Sequence, residues 1–110
     1  MRACLLPFFS LMFFSSCQNG LKEAPPCLQQ KIPGFQAWCC AQGARIDEYQ
    51  FQGKPVYTFD PGNCGGDFPT YVLDAPCDTL GFLGGFAGFT DIQGIPFYGN
   101  ASFQRTLWKN

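Results

Sequence analysis

The 110-residue chain has no histidine, little charge (14% Asp, Glu, Lys and Arg) and no cluster of basic residues. Without histidine, Ser-His and Cys-His nucleophile pairs, His-ligated zinc and the usual general base near neutral pH are all excluded. A net charge of −1 with no basic stripe lacks the electrostatic footprint that nucleic-acid binding needs. No Cys-x-x-Cys pair is present for a zinc knuckle, and no Gly-Lys-Ser/Thr for a phosphate loop. No cofactor is expected. A sugar cleft flanked by paired carboxylates is rarely enclosed by so short a chain.

What is present begins with an export signal. Met1–Gly20 reads MRACLLPFFSLMFFSSCQNG, with Arg2 before an apolar run from Ala3 to Phe14. That run is about 12 residues, short of the roughly 20 that span a bilayer, and a polar stretch follows it. It reads as a cleaved bacterial signal. Phe14-Ser15-Ser16-Cys17 resembles the lipobox of bacterial lipoproteins. That resemblance implies cleavage before Cys17, its acylation, and an anchor in a membrane of the cell envelope, on the periplasmic or surface side of the outer membrane. The expected organisation is a signal peptide over 1–16, a tether over 17–26 and a single domain over 27–110. Loss of Arg2 with the signal takes the net charge from −1 to −2.

Within the domain, Pro25-Pro26 ahead of Cys27–Ile32 predicts a short helix with proline in its first turn. Pro33-Gly34 is expected to end or kink it. Phe35–Cys40 offers a second helical turn with Phe35 and Trp38 on one face, and core packing is the expected role of both rings. From Ala44 the pattern alternates. Ile46–Gln52 and Lys54–Asp60 predict a β-hairpin about Gln52-Gly53, and Asp60–Asp67 predicts a loop. Thr70–Leu73 predicts a third strand closed by Asp74–Cys77. Phe103–Trp108 predicts a last one, with Phe103 and Leu107 on one face and Trp108 on the other. Gln52-Gly53-Lys54-Pro55-Val56-Tyr57 and Gln93-Gly94-Ile95-Pro96-Phe97-Tyr98 share four of six residues, an echo consistent with a second turn of the same geometry or with chance. The fold class is α+β: a short N-terminal helix packed on an antiparallel sheet, stapled by disulfides.

After Cys17, five cysteines remain: Cys27, Cys39, Cys40, Cys64 and Cys77. A domain this small buries only about 60–65% of its unfolded surface, so disulfides are expected in an oxidising compartment. Five is odd, so at least one thiol stays free or pairs outside the chain. Neighbours Cys39 and Cys40 are poor mutual partners. Along a straight helix Cys27 and Cys39 lie roughly 18 Å apart, beyond the ~7 Å limit for bridging, unless the chain folds back at Pro33-Gly34. Staples from the helical segment to the sheet loops are expected, with one of Cys39 and Cys40 left over.

Two groups qualify as an interaction surface. Asp60, Asn63 and Asp67 bring oxygen ligands onto one Gly-rich loop, but without the spacing of a calcium loop; turn chemistry accounts for them and no metal is expected. Phe82, Phe86 and Phe89 in LGFLGGFAGF form either a core wall, the favoured reading, or an exposed binding patch.

Read together, Ile46–Tyr49, Gly53-Lys54, Val56–Asp67 and Cys77–Gly85 resemble small Bacteroidota lipoproteins carrying a domain of unknown function. The likeness runs from about Cys27 to Trp108. It implies export, anchoring and a helix-plus-sheet fold, and supplies no catalytic residue. The expected function is non-enzymatic: an envelope domain, held to the membrane by its lipid, that binds a protein or small ligand. A peptidase inhibitor presenting Asp60–Asp67 is an alternative. A thiol oxidoreductase using Cys39 and Cys40 is another, disfavoured because only Arg45 lies near in sequence to lower a thiol pKa. Substituting Cys17→Ala should abolish lipid labelling and release the domain into the soluble envelope fraction. Mass spectrometry finding a mature N-terminus at any residue other than Cys17 would refute the anchor.

Overall fold

The computed structural model describes residues 24–110; the expected signal peptide, Cys17 and most of the tether lie outside the described residues. Helix α1 spans Pro26–Trp38 and opens with Pro26 at its first position behind an extended Pro25, where the missing N–H costs nothing. Ala24, inside the expected tether, is already buried beneath α1, and its carbonyl accepts from Gln29 Nε2 at 2.7 Å. Pro33-Gly34 neither ends nor divides the helix, contrary to expectation. The buried line Leu28, Ile32, Phe35 runs straight past it. Pro33 faces outward, so water can solvate the carbonyl its absent N–H leaves unpaired.

The chain then lays down strands β1 (Arg45–Phe51), β2 (Lys54–Asp60), β3 (Pro69–Asp74), β4 (Thr79–Gly84), β5 (Asp91–Ile92), β6 (Ile95–Pro96) and β7 (Ala101–Lys109). Five form an antiparallel sheet in the order β4-β3-β2-β1-β7, while β5 and β6 pair separately. Together with α1 this is the α+β class. Gln52 and Gly53 both take positive φ, 55° and 78°, as a type I′ hairpin turn requires. Gln93 and Gly94 repeat it between β5 and β6 at 53° and 83°, so the sequence echo is a repeated turn.

Both faces of the sheet carry a core. On one, Ile46, Tyr57, Phe59, Leu73 and Leu107 pack against Leu28, Ile32 and Phe35 of α1. On the other, Phe51, Val56, Val72 and Leu83 are covered by Ile92 and Phe97 from the region of the small hairpin. This explains why β2 reads Val56-Tyr57-Thr58-Phe59 with every residue buried: a central strand sandwiched on both sides needs no polar alternation. Register shifts skip Leu107 and Gln104 where β7 pairs with β1, so Ile46 faces Trp108 and Tyr49 faces Phe103. The expected faces of β7 are therefore corrected. Leu107 and Trp108 both join the helix-side core, and Phe103 turns to Tyr49, with ring centroids 5.7 Å apart. A bulge changes face parity in a way that period-two counting misses.

Asp47 is buried, and its carboxylate is satisfied by Arg45 Nε at 2.8 Å, Arg45 Nη2 at 3.1 Å and the Thr106 hydroxyl at 2.7 Å. The hydrogen bond to this carboxylate raises the Arg45 pKa. Burial pushes the Tyr49, Tyr57 and Tyr98 phenols up.

Two disulfides link the helical segment to the loops. Cys27–Cys77 ties the first turn of α1 to the β3–β4 turn, and Cys40–Cys64 ties the stretch after the helix to the β2–β3 loop. Cys39 is free and half-buried. Beside the second disulfide, Gly62 has φ +90°, and a Cβ there would strike the Gln42 carbonyl; only glycine fits. By the entropy of loop closure, the staple spanning 50 residues contributes about 4 kcal/mol and the one spanning 24 about 3.5 kcal/mol. Urea unfolding of Cys27→Ser/Cys77→Ser and Cys40→Ser/Cys64→Ser variants should show losses of this size. Peptide mapping that finds any other pairing would overturn the assignment.

Candidate functional site: an aromatic groove beside the helix

The helix does not cover its face of the sheet evenly. Phe35 packs edge-on against Phe59, with centroids 5.3 Å apart, and against Trp108 at 6.1 Å. This holds α1 over the β2-β1-β7 side. The outer part of β3 and β4 is left bare, and a cleft of about 560 Å³ opens between it and α1. Gln30, Lys31, Phe35 and Trp38 form the helix wall, and Tyr71, Leu73 and Thr79 line the sheet side. Tyr71 also lines a neighbouring cleft of about 370 Å³ with Asp67, Pro69, Phe82, Phe86 and Phe89. The two clefts therefore form one groove, with Tyr71 at its centre.

Its aromatic rings make a continuous run. Trp38 and Tyr71 have centroids 6.5 Å apart, and Tyr71 meets Phe82 at 5.2 Å in an edge-to-face contact. Tyr71 and Phe82 are cross-strand partners of β3 and β4, which brings the two rings to the same face. Trp38 is 52% exposed, Phe82 45% and Phe86 94%. The first cleft lies within the range of small-ligand sites, ~300–1,000 Å³, which are lined mainly by apolar and aromatic side chains with few polar groups. The charges lining the groove are Lys31 in one cleft and Asp67 in the other.

Of the residues singled out in the sequence, Phe82, Phe86, Phe89 and Asp67 meet at this groove, and the core role favoured for the three phenylalanines is corrected: all three are exposed. The turn Gly85–Gly88, closed by paired hydrogen bonds between Gly84 and Phe89, lifts their segment clear of both cores. Asp60 closes β2 and accepts the Gly62 N–H at 3.0 Å, and Asn63 lies exposed in the loop. Among the described residues, no group of three or more His, Cys, Asp or Glu is arranged to hold a metal. Cys40 is bonded to Cys64, while Cys39 donates weakly from Sγ to the Gln36 carbonyl at 3.7 Å. Trp38 departs from its expected core role. The buried line 28, 32, 35 advances by four and three, and its next step falls on Cys39, which packs against the helix-side core. Trp38 is one residue, about 100°, off that line. Tyr71 was not singled out; its alternation with Leu73 marks its face, but nothing local says that the helix stops short of it.

Residues 36–110 match the model of a family described as "Domain of unknown function (DUF6970)". The chain belongs to this family. No curated protein and no solved structure matches it. The DUF6970 match covers the whole sheet and begins inside α1, so the β3–β4 wall and Trp38 fall within it, while Gln30, Lys31 and Phe35 of the helix wall precede it. The contrast between neighbouring rings gives a test of the groove. Phe35→Ala should cost about 3–5 kcal/mol as a core truncation, whereas Trp38→Ala should cost less than about 1 kcal/mol. Equal losses in urea unfolding would make Trp38 a core residue and the groove a packed seam.

Proposed function

We propose that this DUF6970 chain is a bacterial lipoprotein of the cell envelope that acts without catalysis, binding a protein or small ligand in the groove centred on Tyr71. The observation that carries the reading is the open run of Trp38, Tyr71 and Phe82 between two clefts. Rigid aromatic side chains left in contact with water are costly to expose and effective in recognition, because they bring large contact area with little entropy to lose. The lipobox at Phe14–Cys17 and two disulfides in so short a chain suit an oxidising compartment outside the cytoplasm. The likeness to Bacteroidota lipoproteins agrees with that address. Among the described residues, no helix is long and apolar enough to cross a membrane, so attachment in this reading rests on the lipid at Cys17.

Affinity capture from native envelopes with the anchored protein tests the reading. A bound species should be lost with Trp38→Ala/Tyr71→Ala and kept with Phe103→Ala, an exposed ring on the far face. A species retained equally by both variants would place binding elsewhere.

A further inference from the structure

The cleft that holds Asp67 has a chemistry of its own. Its side chains offer two polar groups, the Asp67 carboxylate and the Tyr71 hydroxyl, beside the rings of Tyr71, Phe82, Phe86 and Phe89. Much of its backbone is already spent. Pro69 has no N–H to give, Gly84 exchanges both of its polar groups with Phe89 at 2.7 and 3.1 Å, and the Gly85 carbonyl accepts from the Gly88 N–H at 3.1 Å. A ligand that needs hydrogen bonds on several sides would leave water here without finding partners. Asp67 is exposed in the β2–β3 loop, and among the described residues it has no ion-pair partner. An apolar ligand would crowd that carboxylate, and an anion would meet a charge of its own sign. The rings point the same way. Aromatic faces are electrostatically negative and attract a cation lying within about 6 Å of the ring centre. Tyr71 and Phe82 stand 5.2 Å apart with their planes inclined at 64°, which makes a corner and not the coplanar platform on which a flat ligand stacks.

We propose that this cleft binds a small soluble quaternary ammonium compound, its trimethylammonium group seated in the corner of Tyr71 and Phe82 with Asp67 as counter-charge. The proposal rests on the groove reading above and names the ligand chemistry of one of its two clefts. A trimethylammonium group carries a full charge inside an apolar shell and donates no hydrogen bond. It therefore asks for ring faces and a carboxylate, which this cleft supplies, and not for the hydrogen-bond partners that it lacks. A primary ammonium is a poorer fit, because its three N–H donors would face one carboxylate and one hydroxyl. The lysine of the groove lines the other cleft, so no positive side chain competes for the corner. The volume of about 370 Å³ lies in the range of small-ligand sites.

The test titrates choline into the mature, anchored chain in micelles of an uncharged maltoside detergent, followed by NMR. The choline methyl signal should move upfield as ring faces shield it, and the amides of Asp67, Phe82 and Phe89 should shift to saturation. The neutral isostere, in which carbon replaces the nitrogen of choline, keeps the shape and loses the charge; it should bind roughly tenfold more weakly. Asp67→Asn should weaken choline by a similar factor and Phe82→Leu several-fold, while Phe103→Ala on the far face should change nothing. If the neutral isostere binds as well as choline, cation recognition is wrong while the groove reading survives. Absence of choline binding also overturns the proposal and leaves the groove reading to the capture experiment. Choline binding that survives both Asp67→Asn and Phe82→Leu places the site elsewhere and overturns it too. So do amide shifts produced by phosphocholine micelles and not by free choline, which would assign the cleft to a lipid surface.

Discussion

The position of Phe35 decides what the rest of the domain can be. Its ring meets Phe59 and Trp108 edge-on, a geometry that aligns ring edges with the negative faces of their neighbours and adds to the area buried. A 13-residue helix is about 20 Å long and 10–12 Å wide, and five strands at about 4.8 Å spacing make a sheet some 19 Å across. One helix cannot cover that width. Wherever Phe35 fixes it, part of the face stays open, and here the open part is β3 and β4.

The opposite face solves the same covering problem differently. A two-residue hairpin about Gln93-Gly94 brings Ile92 and Phe97 over Val56, Val72 and Leu83. Gly94 takes its positive φ freely, but Gln93 at 53° does not, so the strand pairing and the packing of Ile92 and Phe97 help hold this short hairpin in register. The buried Asp47, gripped by Arg45 and Thr106, adds a polar link between β1 and β7 on an otherwise apolar sheet. Removing Arg45 would leave the buried carboxylate with the Thr106 hydroxyl alone and no counter-charge, whereas removing Thr106 would leave it the two Arg45 bonds.

Local chemistry made much of this legible in advance. Gln52-Gly53 announced its hairpin, and the alternation in β1 to β3 announced the sheet. The need for staples followed from chain length. What could not be read was anything set by the relative placement of elements. Proline signals stop a helix only if its buried line stops too, and Leu28, Ile32 and Phe35 continued it. Bulges at Leu107 and Gln104 reversed the face of Phe103 without leaving a mark in residue spacing. The phenylalanines of LGFLGGFAGF looked like core because apolar content alone carries no information about whether a covering element reaches them. The same blindness hid Tyr71, whose exposure depends on how far α1 extends over the sheet.

Cys27–Cys77 joins the start of the helix to the turn between β3 and β4, the two bodies that flank the groove. The width of the groove is thus the width of a covalent ring, closed on one side by the disulfide and on the other by the packing of Phe35. Without that bond α1 would rest on Leu28, Ile32 and Phe35 alone, and its first turn would lose the link to the β3–β4 turn. The spacing across the groove therefore has a covalent part, made only when the two cysteines are oxidised, beside the part set by packing.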